Sequence, residues 1–141
     1  MKPIVFLDSA VFIFASEFNN SNSAKVIELL ISNKIKVIIS EKVLKEVTSY
    51  FEKFYTIKDA RKMRRLITSS CTMVKRKFVE DKISLLKGKI KEKDLEHLAV
   101  VRKLGIKYLI SYDKDFKNIQ EYLTPKQFIT LLGEKSNKEE F

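Results

Sequence analysis

Short, almost wholly apolar runs alternate along this chain with longer segments whose apolar residues recur every three or four positions. PIVFL at 3–7, KVIIS at 36–40 and YLIS at 108–111 are too brief for helices and suit strands covered on both faces. The longer segments predict helices. One runs over 10–18 with Ser9 placed to cap it. A second opens at Asn22 or Ser23, after the break NNSNS, and reaches Leu30 or Ile31. Ser40 caps a third over 41–54, whose stripe is Val43, Leu44, Val47, Tyr50, Phe51 and Phe54. A fourth begins at Thr56 or Asp59 and carries Ala60, Met63, Leu66, Ile67, Cys71 and Val74 on one side. Residues 75–91 have a weaker pattern: a short strand near 73–78, then a helix interrupted near Gly88. A short helix opened by an acid and stopped at Gly105 precedes the strand at 108–111. A last strand at 122–124 leads to a helix at 125–132, with Thr124 as its cap and Pro125 at its first position.

Strands alternating with helices predict an α/β fold of three layers, α/β/α, around a central parallel sheet. The 141 residues suffice for one core, giving a single domain over 1–133 and a solvated, frayed tail over 134–141. No window approaches the roughly 18 apolar residues of a membrane span. The apolar start MKPIVFLDSAVFIFA reads as strand plus helix and not as a secretory signal, because Asp8 interrupts it and no small-residue cleavage site follows. The lone cysteine, Cys71, sits at an apolar helical position and reads as core. It excludes an internal disulfide and a cysteine-based zinc site, and suits a reducing cytoplasm. The formal charge of +10, from 28 Lys+Arg against 18 Asp+Glu, favours a polyanionic partner, most commonly nucleic acid.

The chemistry concentrates in acids. At about 100° per residue, Asp94 leans toward the stripe of Leu95, Leu98 and Val101, whereas Glu96 points the other way. A carboxylate turned toward an apolar face costs several kcal/mol unless something compensates. Asp8 ends the first strand, Asp113 and Asp115 follow the 108–111 strand, and Glu46 borders the stripe of the third helix while Glu41 and Glu52 lie opposite it. Ligands in parallel sheets gather beyond the carboxyl ends of the strands. Singly, Asp8, Glu46 and Asp94 each read as ordinary solvated acids; together with Asp113 they read as one cleft. Carboxylates sharing a cleft repel, and Mg²⁺ or Mn²⁺ is the usual remedy. Such an ion supports phosphodiester hydrolysis without His, Cys or Ser as nucleophile. His97 reads as an exposed or half-buried helix residue on the flank of Asp94's helix.

FLDSAVFIF, IISEKVLKEV, KDLEHLAVVRKLGIKYLISYDKDF and LTPKQF, in that order over residues 3–132, resemble the PIN-domain family, metal-dependent nucleases that include VapC-like toxins. The resemblance implies a PIN-like fold, with the acidic quartet on Asp8, Glu46, Asp94 and Asp113 and a frequent fifth acid at Asp115. Ser9 matches the small hydroxyl after the first acid, and Ser111 the hydroxyl two before the fourth. Ala10 departs from the family, where Asn or Asp is common. The implied activity is Mg²⁺- or Mn²⁺-dependent cleavage of single-stranded RNA. Asp8, Asp94, Asp113 and Asp115 would be metal ligands, and Glu46 would help orient the attacking water. A small antitoxin and a homodimer are the implied partners. Lys93, Lys114 and Lys45 neighbour the acids and are candidates for phosphate contact. The basic face of the fourth helix (Arg61, Arg64, Arg65) suits RNA backbone or an acidic partner segment, with a plain solvated face as the alternative.

Two other classes compete. A phosphoaspartate phosphatase needs a second Asp where Ala10 stands, and a receiver-type signalling domain needs another order of acids and a strand-end Lys. A non-catalytic RNA- or protein-binding module on the same fold is the remaining alternative. Dinucleotide binding lacks its Gly-rich loop.

Overall fold

The computed structural model describes residues 2–138. Five strands, β1 (Ile4–Leu7), β2 (Lys36–Ser40), β3 (Cys71–Val74), β4 (Tyr108–Ile110) and β5 (Tyr122–Leu123), form one parallel sheet in the order β3-β2-β1-β4-β5. The central strand is covered on both faces, with Val5, Phe6 and Leu7 all fully buried. That is why its sequence is a continuous apolar run and not an alternation.

Among the described residues six α-helices lie between strands and a seventh follows β5: α1 (Ser9–Glu17), α2 (Asn22–Ile31), α3 (Glu41–Phe54), α4 (Ile57–Ser70), α5 (Arg76–Leu86), α6 (Leu95–Leu104) and α7 (Pro125–Leu131). From β1 the chain steps outward to β2 and then β3, so right-handed crossovers place α1 to α4 on one face. It then returns across the sheet to β4, which places α5 and α6 on the other face. The packing of α1 on α2, α3 on α4 and α5 on α6 follows this division, and α7 closes against α2. The step direction reverses between β1 and β4, so the crevice beyond their carboxyl ends is the topological switch point where such sheets bind ligands.

Several boundaries differ from the sequence expectation. The α1 cap is Asp8, not Ser9: its carboxylate accepts the Ser9 amide at 2.7 Å. Helix α2 opens at Asn22 and closes at Ile31 as expected, with Ser21 capping it by accepting the Ala24 amide. Helix α4 stops at Ser70 and does not carry Cys71 and Val74. Thr68 and Ser69 turn their hydroxyls back onto the carbonyls of Arg64 and Leu66, which favours leaving the helix, and β3 begins at Cys71. Helix α5 ends before Gly88, whose φ of 81° only glycine adopts without strain. A 3₁₀ turn, Glu92–Asp94, opens α6.

Residues 134–138 are exposed or half-buried, and two of them hydrogen-bond to α2. Asn137 exchanges hydrogen bonds with the Asn22 side chain at 2.7 and 3.0 Å, and Lys25 donates to the Lys135 carbonyl. Residues 139–141, the rest of the expected tail, lie outside the described residues. Among the described residues no helix is long and apolar enough to cross a membrane.

Candidate active site at the carboxyl edge of the sheet

Asp8 reaches the crevice because β1 ends there and its amide donates to Ile110 O of β4, which continues the ladder one residue past the strand. The Ser111 hydroxyl couples the two strand ends. It donates to Asp8 Oδ2 at 2.7 Å and accepts the Asp113 amide at 2.9 Å. Asp113 Oδ1 in turn accepts the Asp115 amide at 2.9 Å, which fixes the following turn. One oxygen of each carboxylate is thus aimed by backbone amides, with the Ser111 hydroxyl joining the two strand ends.

Glu46 and His97 close the α3 side. Ser40 caps α3 by accepting the Val43 amide, and its oxygen lies 2.8 Å from His97 Nδ1. That hydroxyl is fully buried and, with the Val43 amide on its oxygen, can give its proton to Nδ1, which turns Nε2 toward the acids. Nε2 lies 3.4 Å from Asp8 Oδ1 and 3.3 Å from Glu46 Oε1, so one N–H faces two carboxylates. Burial opposes ionisation of Glu46. The His97 hydrogen bond and charge outweigh it, helped by Lys42 and the Ser9 hydroxyl, and hold this carboxyl below its usual range. His97 is 2% exposed, which corrects the expectation of a solvated or half-solvated residue.

Asp94 occupies the floor. It stands at the N-terminus of α6, yet its side chain caps nothing, and it is 3% exposed. Its Oδ2 is buried without a hydrogen-bond partner; the Lys93 ammonium is 3.7 Å away. Burial first, then the charge of Asp113, pushes the Asp94 carboxyl up to about 6; Lys93 and His97 oppose the shift, and Asp8 adds to it. Lys93 Nζ also lies 2.6 Å from Asp113 Oδ2 and 3.2 Å from Asp115 Oδ2, and Lys91 pairs with Asp115 at 3.2 Å.

Two groups of donors therefore face each other, Asp8 with Glu46 and His97, and Asp94 with Asp113 and Asp115. Within each group the ligand atoms lie within 4.8 Å of one another. Carboxylate oxygens around an unpartnered buried oxygen fit a hard divalent cation. A PIN-domain family model matches residues 5–122. The chain belongs to the PIN-domain family.

Solved structures similar to this PIN domain agree in fold. A toxin–antitoxin complex from Klebsiella pneumoniae aligns with a TM-score of 0.69 at 18% identity, covering 86% of this chain and 97% of that one. VapC20 from Mycobacterium tuberculosis, a toxin that cleaves the sarcin-ricin loop, aligns at 0.61 and 17%, covering 80% and 92%. VapBC2 from Rickettsia felis, bound to a DNA fragment of its promoter, aligns at 0.62 and 18%, covering 86% and 96%. No curated protein matches the sequence.

Of the residues singled out in the sequence, this PIN domain brings Asp8, Ser9, Glu46, Lys93, Asp94, Ser111, Asp113 and Asp115 to one crevice. Lys114 and Lys45 are exposed beside it in sequence. Arg61, Arg64 and Arg65 are exposed on α4, and among the described residues none of the three pairs with an acid of the cleft. Sequence reasoning missed three participants: His97, Ser40 and the buried Glu96. Glu96 does not point away into solvent. It pairs with Arg76 at 3.0 Å and accepts the Lys42 amide, which anchors α3 against α6. The spacing held the signal for His97, which follows Asp94 by three residues and so shares its side of the helix.

The Asp94 shift has a definite sign. Its folded value of about 6 lies above the ordinary 3.8, so its contribution to stability is complete below 3.8 and is lost as pH rises through about 6. Glu46 and Asp115 are shifted the other way. Their contributions hold at neutral pH and disappear only as pH falls below their ordinary values of 4.5 and 3.8. Metal-free protein should therefore lose melting temperature on Asp94's account between about pH 4 and 6.5. Mn²⁺ affinity should fall by up to about tenfold per unit below pH 6 and level off above it. Thermal melts and Mn²⁺ titrations from pH 5 to 8 check both signs.

Proposed function

We propose that this PIN domain is a Mg²⁺- or Mn²⁺-dependent endoribonuclease that hydrolyses phosphodiester bonds in single-stranded RNA, and that it is the toxin of a toxin–antitoxin pair. The observation that carries this reading is Asp94 Oδ2, a buried carboxylate oxygen without a hydrogen-bond partner amid other carboxylates. Asp8, Asp94 and Asp113 would hold the ion. When bound, it supplies a polarised water and stabilises charge on the phosphate under in-line attack. Ser111 and the Ser9 amide keep Asp8 aimed at that place. Glu46, with its side chain 41% exposed and its carboxyl held ionised beside His97, sits where it can accept a proton from the attacking water. Arg61, Arg64 and Arg65, with Lys114 at the rim, would draw in the backbone, so binding should weaken steeply with salt.

The likeness to chains of toxin–antitoxin complexes supports an antitoxin partner, and the cluster of acids would accept a basic side chain from it. A homodimer is the assembly expected of the family, and a cytoplasmic setting suits the free, half-buried thiol of Cys71. The test is direct. A labelled single-stranded RNA should be cut with Mn²⁺ or Mg²⁺ and spared with EDTA, and a duplex of the same sequence should resist. RNA that is bound but left whole with either ion would instead make the chain a binding module.

A further inference from the structure

We infer that the Lys93 ammonium stands where a second divalent ion would otherwise sit, so that this centre works with one ion. The inference rests on the metal-dependent reading above and concerns how many ions that site takes. Lys93 Nζ touches all three acids of one group: Asp113 at 2.6 Å, Asp115 at 3.2 Å and Asp94 at 3.7 Å. Its backbone is fixed as well, because the Lys42 ammonium on α3 donates to the Lys93 carbonyl. The ammonium is therefore delivered to the acids from an anchored residue and is not a drifting surface charge. On the opposite side the His97 N–H already lies between Asp8 and Glu46. Among the described residues Asp94 Oδ2 alone is buried with no hydrogen bond, and its one ion-pair partner is the Lys93 ammonium at the longest of these three distances, 3.7 Å.

Charge counting reaches the same number. Five carboxylates converge, and the ammonium groups of Lys91, Lys93 and Lys42 offset three of them. One divalent ion then balances the remaining two charges, whereas a second would make the pocket positive by two, and like charges in one cleft repel. Without Lys93 the pocket would have one positive charge fewer to set against a second ion. The side chain of Lys93 is 55% exposed, so its replacement removes charge without opening the core.

Equilibrium dialysis and electron paramagnetic resonance with Mn²⁺ read the count. Wild type should bind one ion per chain with the spectrum of an isolated Mn²⁺. Lys93→Met should bind two, the second at least about tenfold more tightly than any second site of wild type, with the broadened signal of a coupled pair. Lys53→Met, which removes an exposed lysine at the far end of α3 and outside these pairs, should leave the count at one. Two ions of comparable affinity in wild type would overturn the inference, as would a count of one in Lys93→Met, and in either case the metal-dependent reading stands. If neither protein binds Mn²⁺, the metal-dependent reading falls and takes this inference with it.

Discussion

Asp94→Asn should cut RNA at least about 10²–10³-fold more slowly than wild type, the scale of losing one principal electrostatic contribution to a transition state. The same substitution should make the metal-free protein more stable at pH 7.5, raising its melting temperature by about 2–5 °C. The two effects have one cause. At that pH the carboxyl has been forced to ionise above its folded value of about 6, with one oxygen buried and no hydrogen bond to it. An amide removes the charge, and with it the repulsion from Asp113 and Asp8. Asp8→Ala provides the contrast. It should lose cleavage to a similar extent but also lose about 0.5–2 kcal/mol of stability, because Asp8 caps α1 and accepts the Ser111 hydroxyl. Melts with and without Mn²⁺ complete the comparison: the ion should stabilise wild type and leave Asp94→Asn unmoved. A metal-free Asp94→Asn that melts below wild type would mean that Asp94 is a structural acid.

The elements that were legible in the sequence are those whose burial follows one simple pattern along their length. β1, β2 and β4 lie wholly within the sheet, so their apolar runs had one interpretation. Asp94's inward lean was legible because a polar residue on an apolar stripe breaks a simple helical pattern. Glu96 and His97 were not, because α6 has no single apolar face. Leu95 through Val101 are all buried, packed between α5, α3 and the sheet, so a wheel drawn for a half-exposed helix assigns its polar side to water. The capping of α1 failed for a different reason. Asp8 does two things at once, accepting the Ser9 amide with one oxygen and the Ser111 hydroxyl with the other, and the second partner lies 103 residues away. Local rules see only the first kind of partner. The Arg61, Arg64 and Arg65 face remains where the sequence left it, exposed and basic, because what such a face contacts is decided by a molecule other than this one.

His97→Leu should lower stability by about 1–3 kcal/mol and slow cleavage by about 10–100-fold, through what the ring does to Ser40, Asp8 and Glu46. Leucine supplies apolar bulk, but the Ser40 proton loses its acceptor in a fully buried place, and the ring's packing on Phe6 at 5.4 Å between centroids goes with it. The larger consequence is electrostatic. Asp8 and Glu46 would face each other with no N–H between them, and Glu46 would lose the hydrogen bond that does most to hold its carboxyl down against burial. Its titration should therefore move upward, readable as the carboxyl ¹³C shift of Glu46 against pH in wild type and variant. Loss of packing alone would not move that titration, so the two origins of the defect separate. His97→Gln, which can still offer an N–H toward the carboxylates, should recover part of the cleavage rate and return Glu46 part of the way. If Glu46 titrates identically in wild type and His97→Leu, the imidazole is a core filler, and the grouping of Asp8 with Glu46 must be maintained by the backbone that carries them.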